Sequence, residues 1–315
     1  IGGDGSLSGT NEFRGEWAQH VAELATEGVI SPETAAAHPA LIIVGLVGSI
    51  DNDMVGTDMT IGADTALHRI LDAIDQLTST AASHQRTFVV EVMGRHCGYL
   101  PLMAAVAGGA DYVFTPEDPA GPGWQDDLAE HLRLGREAGR RESIVLVAEG
   151  AHDREGNELS TQLIADTIQE RTGEDARVTI LGHVQRGGTP SAYDRWMSTL
   201  LGYAAVQEIL ESTAEDEPVI LGVRRNRITR IPLMKAVHDT RAVKDLIAAG
   251  DYAAAQASRG SSFSSMVGIN QILSTPPQLT PEPTGESKRV AILHAGGLAP
   301  GMNTAARVAV RLGIA

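Results

Sequence analysis

Three carboxylates lie close together in the segment GLVGSIDNDMVGTDM at residues 45–59, directly after an apolar run. Asp51 and Asp53 are the nearest pair, and such carboxylates can act as general bases or as ligands of a divalent cation. An EF-hand calcium loop is excluded, because its fifth and twelfth positions would fall on Val55 and Gly62. Asx-turns and helix capping remain the alternative interpretation of an isolated Asp-Asn-Asp.

A glycine-rich segment, GGDGS, occupies residues 2–6. Its backbone N–H groups have few side chains around them and suit polyphosphate oxygens, and Asp4 in its middle could hold Mg2+ against those oxygens. A tight glycine turn with no ligand is the alternative at this position.

Three more segments place polar side chains directly after apolar runs. Arg95 in VMGRHCG could pair with a phosphate, and Glu149 in VAEGAH could accept hydrogen bonds from a polyol. His183 and Arg186 in LGHVQRGG form a plausible pair for a phosphate dianion. Taken singly, each has an ordinary structural alternative: a surface arginine, a helix N-terminal carboxylate, or a core histidine beside a solvated arginine.

The elements that must position these residues alternate along the chain. Short aliphatic runs predict buried parallel strands at 41–48, 86–94, 110–117, 142–150, 176–184, 218–226 and 288–297. Helical spacing is present at 61–83, 97–108, 124–140, 160–173, 191–212 and 239–249. This alternation predicts an α/β fold with mainly parallel sheets, whose ligands bind beyond the carboxyl ends of the strands.

Composition limits the class of protein. The chain has 315 residues, of which 43% are hydrophobic and 21% are charged, as in ordinary soluble globular proteins. Its 25 basic and 40 acidic residues give a net charge of −15, which argues against nucleic acid or an anionic membrane as a general partner. The single cysteine, Cys97, excludes an intrachain disulfide framework and favours a cytoplasmic location.

Sequence blocks along nearly the whole chain resemble the ATP-dependent 6-phosphofructokinase family, in its long form with two tandem halves. The matching blocks are GGDGSL (2–7), IVGLVGSIDND (43–53), GTDMTIG (56–62), SHQRTFVVEVMGRHCGYL (83–100), LVAEGA (146–151), VTILGHVQRGGTPSAYDR (178–195) and GGLAPGMN (296–303). The resemblance implies an allosteric glycolytic kinase that phosphorylates fructose 6-phosphate to fructose 1,6-bisphosphate, with two Rossmann-like three-layer subdomains.

The resemblance also implies the catalytic roles. Asp51 would be the general base for the sugar 1-hydroxyl, Ser49 would contact the transferring group, and Arg95 would offset its charge. Asp4 and Asp53 would serve Mg2+, with ATP as co-substrate. The implied ATP-binding residues are Gly2, Gly3, Gly5, Ser6 and Gly9.

A sugar-phosphate site is implied in the same way. Its residues would be Ser49, Asp51, Arg86, Met93, Gly94, Arg95, Glu149, Arg177, His183 and Arg186. Arg86 and Arg177 match family positions that reach into a neighbouring half's site, so the resemblance implies a homo-oligomer, expected to be a tetramer.

Two alternatives stay open beside this interpretation. Pyrophosphate-dependent relatives typically carry an aspartate at the position of Gly5 and a lysine at that of Gly48, so these glycines favour ATP. A non-catalytic half that only binds sugar phosphate is disfavoured by the retained Asp4, Asp51 and Asp53.

The resemblance divides the chain by function. Residues 1–62 and 185–249 would form a nucleotide and magnesium subdomain, 63–184 a sugar-phosphate subdomain and 250–273 a closing helix. The proline-rich segment 274–288 would be a linker, and 289–315 the start of a second half, with Leu298 where catalytic halves usually have an aspartate. We expect the chain to be an internal segment, and inactive by itself.

Overall fold

The computed structural model describes residues 1–276, 290–297 and 299–314. Residues 277–288 of the predicted linker and Leu298 therefore lie outside the described residues. The strands are β1 (Val44–Leu46), β2 (Thr87–Val92), β3 (Tyr112–Phe114), β4 (Ser143–Ala148), β5 (Ala176–Ile180), β6 (Val219–Arg224) and β7 (Arg227–Pro232). The α-helices are α1 (Asp4–Thr26), α2 (Pro32–Ala37), α3 (Ala63–His84), α4 (Tyr99–Gly108), α5 (Trp124–Glu137), α6 (Thr161–Thr172), α7 (Ala192–Glu211), α8 (Leu233–Ala248), α9 (Tyr252–Ser258), α10 (Ser261–Ser274) and α11 (Met302–Ile314).

The chain divides into two compact units. The first unit comprises residues 1–69, 94–100 and 183–262, and the second comprises 70–93, 101–182 and the described residues from 263 onward. The functional roles that the resemblance assigns to the sequence ranges stay predictions.

The first unit is built on a sheet with the order β1-β6-β7, in which β1 and β6 are parallel and β7 is antiparallel. Successive residues of a strand face opposite sides of the sheet. Leu46 packs with Met197 of α7 on one side. On the other side Val47 packs with α1 and α8, and a side-chain atom added at Gly45 would lie 2.8 Å from Leu7 of α1. Helices therefore cover both faces, which gives three layers.

The second unit contains a parallel sheet with the order β3-β4-β2-β5. Val89 and Val145 pack against α5 and α6 in one apolar cluster. Val90 and Leu146 point to the opposite face by alternation and are also fully buried, so that face is covered as well. The two sheets confirm the predicted α/β class with mainly parallel strands.

One predicted strand is wrong. Strands β1 to β6 each fall within a predicted aliphatic run, but residues 290–297, within the seventh run, form no strand. A strand is stabilised by hydrogen bonds to a neighbour, and no strand of the described chain pairs with this segment. No helix among the described residues is long and apolar enough to cross a membrane.

Candidate active site

The glycine segment at the start of the chain becomes a helix N-terminus rather than a long loop. Gly2 forms a parallel bridge with Val47, and its N–H donates to the Leu46 carbonyl at 3.0 Å. Helix α1 then begins at Asp4, with no side chain capping its first turn. The N–H groups of a first helical turn lack intrahelical partners and carry partial positive charge, which suits an anion.

Glycines in this segment differ in how much room surrounds them. A Cβ at Gly2 would lie 2.5 Å from the Cβ of Ser6, so a larger residue would displace the first turn of α1. In contrast, no atom lies within 4 Å of a Cβ added at Gly3, Gly5 or Gly9. Only Gly2 is required here by close packing.

The loop after β1 holds Asp51 in a hydrogen-bonded turn. Ser49 Oγ donates to Asp53 Oδ1 at 2.9 Å and accepts from the Asp51 N–H at 3.3 Å. Asn52 has φ +50°, and its side-chain oxygen accepts from the Thr60 N–H at 2.8 Å. Asp51 is only 5% exposed. The loop thus orders Asp51 between its two polar neighbours and shields its carboxylate from water.

A second turn, after β2, carries Arg95. A Cβ at Gly94 would overlap the Cys97 carbonyl oxygen, so this position needs glycine. The Cys97 N–H donates to the Gly94 carbonyl at 2.7 Å and closes the turn. Arg95 has φ +50°, an unusual value for a residue with a side chain. Residues 94–100 belong to the first unit.

A cavity of about 190 Å3 in the first unit brings predicted site residues together; we call it the cationic cavity. Asp4, Asp53 and Arg95 line it, and Arg241 Nε donates to Asp4 Oδ2 at 3.2 Å. Among its arginine, lysine and aspartate side chains, four cations face two carboxylates, an excess of two positive charges. The full lining is Asp4, Asp53, Arg95, His96, Thr240, Arg241, Lys244 and Arg259.

Three cations of this cavity were not predicted. Arg241 and Lys244 lie on α8, and Arg259 follows α9. No motif marks them, and the weak signal that existed was the pair of basic residues three apart on the helix predicted at 239–249.

His183 and Arg186 lie in a short 3-10 helix, Gly182–Arg186, that follows β5. Both side chains are exposed. Arg186 lines a cavity of about 280 Å3 in the first unit together with Ile50, the residue before Asp51. The structure therefore brings Arg186 near the loop that holds Asp51.

Met93 and Glu149 follow β2 and β4 at the carboxyl edge of the sheet in the second unit, where the Glu149 N–H donates to the Val92 carbonyl at 2.8 Å. Burial, and then the charges of Glu149 and Glu158, raise the pKa of Glu91. This edge is an acidic, hydrogen-bond-accepting surface, which suits the hydroxyl groups of a sugar.

Arg86 and Arg177 lie at the other end of the same sheet. Arg86 Nε contacts Asp175 Oδ2 at 2.8 Å and Arg177 Nη2 contacts the same oxygen at 2.9 Å. The six-residue strand β2 separates them from Glu149, and such a strand spans about 20 Å. The structure thus brings the two arginines together but keeps them away from Glu149 within the unit.

The family model described as phosphofructokinase matches residues 1–209. The liver-type ATP-dependent 6-phosphofructokinase of Bos taurus is 49% identical over 314 residues, and the platelet type of Rattus norvegicus is 46% identical over 317. Each alignment covers 100% of this chain, but the chain spans only 40% of the length of these relatives.

Solved structures of phosphofructokinases are also similar to this chain. Phosphofructokinase from Saccharomyces cerevisiae is 48% identical, with a TM-score of 0.83, over 86% of this chain and 36% of its own. The T-state enzyme of Pichia pastoris is 45% identical, with a TM-score of 0.77, over 86% of this chain and 29% of its own. A pyrophosphate-dependent phosphofructokinase from Marinobacter aquaeolei is 20% identical, with a TM-score of 0.54, covers 70% of this chain and 56% of its own, and supports the fold alone.

Proposed function

This chain belongs to the phosphofructokinase family, and on that premise we propose that the complete protein phosphorylates fructose 6-phosphate with ATP to give fructose 1,6-bisphosphate, in glycolysis and in the cytoplasm. The cationic cavity is the observation that carries the proposal. It contains three residues predicted from separate sequence blocks, and its excess positive charge suits a polyphosphate.

In the proposed reaction Asp51 takes the proton of the sugar 1-hydroxyl. The hydroxyl oxygen bonds to the γ-phosphorus as the bond to ADP breaks, and ADP leaves with the electron pair. The ordered turn around Asp51 supports this role, because a base must be held within hydrogen-bond reach of the proton it removes. Ser49 contacts the transferring group, and Arg95 offsets its charge.

Asp4 and Asp53 fit Mg2+ held jointly with a substrate. Among the described residues no group of three or more His, Cys, Asp or Glu side chains forms a complete metal site. Mg2+ commonly takes one or two carboxylates and completes its coordination with phosphate oxygens and water. Asp4 and Asp53 would hold the ion, whose positive charge would offset that of the donor phosphates. Asp4 would then exchange its contact with Arg241 for the metal.

ATP is the proposed donor, bound by Gly2, Gly3, Gly5, Ser6 and Gly9. The open space around Gly5 supports this choice, since an aspartate there would place a carboxylate beside the polyphosphate. Pyrophosphate is the alternative donor, and it is disfavoured by Gly5 and Gly48.

The sugar phosphate is proposed to bind through Met93, Gly94, Glu149, His183 and Arg186, besides the catalytic residues. Arg86 and Arg177 are proposed to act in a neighbouring copy's site within a homotetramer. Their shared contact with one Asp175 oxygen supports this role, because two cations on one carboxylate leave positive charge for a phosphate.

The same family membership supports the functional division of the chain as a proposal: nucleotide binding by 1–62 and 185–249, sugar-phosphate binding by 63–184, closure by 250–273, and a second half from 289 onward. A half that only binds sugar phosphate is the second candidate function. Loss of a catalytic carboxylate would favour it, and Asp4, Asp51 and Asp53 are all present.

Turnover of the purified complete protein tests the proposal. ADP formation should require both fructose 6-phosphate and Mg2+, and pyrophosphate should replace ATP poorly. Binding of fructose 6-phosphate without turnover on either donor would favour the regulatory half. Faster turnover with pyrophosphate would overturn the donor assignment alone.

A further inference from the structure

Arg259 joins two segments of the first unit that are far apart in sequence. Its Nη1 donates to the carbonyl oxygen of Asp53 at 2.8 Å, and its Nη2 donates to that of His96 at 2.7 Å. The partners lie 206 and 163 residues away along the chain. One side chain thus ties the loop after β1 to the turn after β2.

Both tied segments are irregular and carry the proposed chemistry. The loop holds Asp51 and Asp53, the turn holds Arg95, and each contains a residue with φ +50°. Such conformations persist when surrounding contacts hold them. The planar guanidinium supplies two parallel-facing donors at fixed spacing, a geometry that a lysine ammonium lacks.

The backbone that presents Arg259 is itself constrained. Arg259 is the residue directly after helix α9; its N–H donates to the Ala255 carbonyl at 3.3 Å, and Gly260 follows with φ +109°. Asp251 caps the other end of this helix by accepting from the Ala254 N–H at 3.1 Å. The short helix therefore has a fixed beginning and end, and the guanidinium is held from a defined base.

We propose that Arg259 is a positioning residue for phosphoryl transfer, which fixes the distance between the Asp51–Asp53 loop and Arg95 by bridging their backbone carbonyls. The inference rests on the proposed function. Arg259 acts through the backbone of the two segments, because each of its two terminal nitrogens donates to a carbonyl oxygen of one of them. The residue lies beyond the 1–209 range of the family match.

Substitution by lysine separates geometry from charge. Arg259→Lys keeps the positive charge in the cationic cavity but loses the two-donor bridge, whereas Arg259→Ala loses both. We expect kcat to fall by about 10²-fold in both variants of the complete protein, the cost of displacing a catalytic group by about 1 Å. In Arg259→Lys, KM for ATP and fructose 6-phosphate should change little, because this variant keeps the positive charge. Added guanidinium ion should restore part of the kcat of the alanine variant.

Arg14 provides a matched control in the same unit. Its Nη2 also bridges two backbone carbonyls, those of Ala214 and Asp216, both at 3.1 Å, but on the exposed surface. Arg14→Ala should leave kcat unchanged, and an equal loss there would show that the effect is generic.

Three results would overturn the inference in an active wild-type enzyme. These are wild-type kcat in Arg259→Lys, wild-type kcat in Arg259→Ala, or a raised KM for ATP with unchanged kcat, which would make Arg259 a donor-binding cation. If the alanine variant fails to fold, the lysine variant decides by the same kcat comparison and by its melting temperature. An inactive wild-type protein would instead refute the proposed function, and this inference with it.

Discussion

Charged groups are arranged in opposite ways in the two units. In the cationic cavity of the first unit Asp4 has one ion pair, with Arg241 at 3.2 Å, and the side chains of Asp4 and Arg241 are 33% and 53% exposed. In the second unit Glu174 is paired on both oxygens: Arg136 donates twice at 2.8 Å and Thr87 donates at 2.7 Å. The side chains of Arg136 and Glu174 are 21% and 17% exposed.

The two carboxylates are held so differently that we expect Asp4 to serve ligand binding and Glu174 to serve stability. A carboxylate with a single exposed ion pair gains little from it and can exchange its partner for a ligand. A carboxylate with three short hydrogen bonds links the secondary-structure elements that donate them, and exchanging these donors for a ligand would cost those bonds. The cationic cavity should therefore govern turnover and binding, while Glu174, Arg136 and Thr87, which we call the Glu174 cluster, should govern the stability of the second unit.

The largest effect is expected beside the cationic cavity, at Asp51. Asp51→Asn should lower kcat by about 10²- to 10⁴-fold, because the amide cannot accept the hydroxyl proton. Substrate binding, measured by calorimetry, should be nearly intact. Asp58→Asn, at an exposed position seven residues further along the chain, is the control and should leave kcat unchanged. Turnover of Asp51→Asn within a few fold of wild type would remove Asp51 from the role.

The next effect concerns the choice of phosphoryl donor in the cationic cavity. Gly5→Asp combined with Gly48→Lys should lower kcat/KM for ATP by at least about tenfold, since the first adds negative charge beside the polyphosphate and the second adds bulk. A Cβ at Gly5 meets open space, and one at Gly48 would lie 3.3 Å from Ile1 Cγ2. The contact at Gly48 is tight, but Ile1 is exposed and its side chain can shift to relieve it.

Gly15→Asp is a control for added charge on α1, because no atom lies within 4 Å of a Cβ there either. Its kcat/KM for ATP should match that of wild type. Should the double variant retain the wild-type ATP value as well, the donor assignment would lose its physical basis.

The third effect extends the comparison to another region of the second unit, where two arginines share Asp175. Arg177→Ala should raise KM for fructose 6-phosphate by about 10- to 10²-fold, the worth of a charge-assisted hydrogen bond to phosphate. Mixed oligomers of Arg177→Ala and Asp51→Asn subunits should regain activity at sites that combine intact residues. Arg171→Ala, which removes an exposed arginine paired with Asp126, should have no such effect. Confirmed hybrids without recovery would exclude sharing between subunits.

The smallest effect is expected at the Glu174 cluster, and it concerns stability. Glu174→Gln should destabilise the second unit by about 1–3 kcal/mol, because it weakens charge-assisted bonds to Arg136. Faster hydrogen exchange of β2 amides would measure this, while kcat should be unchanged. Glu130→Gln, on the exposed face of α5, is the control and should not alter exchange.

The same residue predicts an acid dependence. Burial raises the pKa of Glu174, but the hydrogen bonds from Arg136 and Thr87 outweigh burial and lower it below the usual 4.5. A lowered folded-state pKa stabilises the fold above the unfolded-state value, and this contribution is lost as the pH falls through the folded-state value. Acid should therefore destabilise wild type more than Glu174→Gln. Equal acid sensitivity of the two proteins would contradict the assignment.

Much of the fold could be predicted because apolar runs report burial. Strands β1 to β6 lie within such runs. Strand β7 was missed because RITRIP, with two arginines and a threonine, forms no apolar run, and it pairs antiparallel at the sheet's end. The sequence predicts a glycine loop at the start of α1, because Gly5 and Gly9, two of its first six residues, lower helix propensity. Tertiary packing of Leu7 on the sheet outweighs that preference.

The site could be predicted only where residues follow strands. Asp4, Asp53 and Arg95 follow bridged or paired segments, and they do meet at one cavity. Arg241 and Lys244 lie on α8 and Arg259 directly follows α9, and the tertiary fold brings all three to the cavity. The contacts of Arg259 are to backbone carbonyls, which every residue possesses, so no residue type in the partner segments could have signalled them.

The alkylation rate of the Cys97 thiol can report how often the turn that carries Arg95 opens. The thiol is fully buried in the turn that carries Arg95, with its sulfur 4.0 Å from the carbonyl oxygen of Asn52, and it is the single cysteine of the chain. An alkylating reagent can reach it only while the turn is open, so the labelling rate counts those openings. A ligand that binds the closed turn alone slows labelling by the factor 1 + [L]/Kd. Alkylation of one sulfur can therefore measure occupancy of the neighbouring cavity without any turnover.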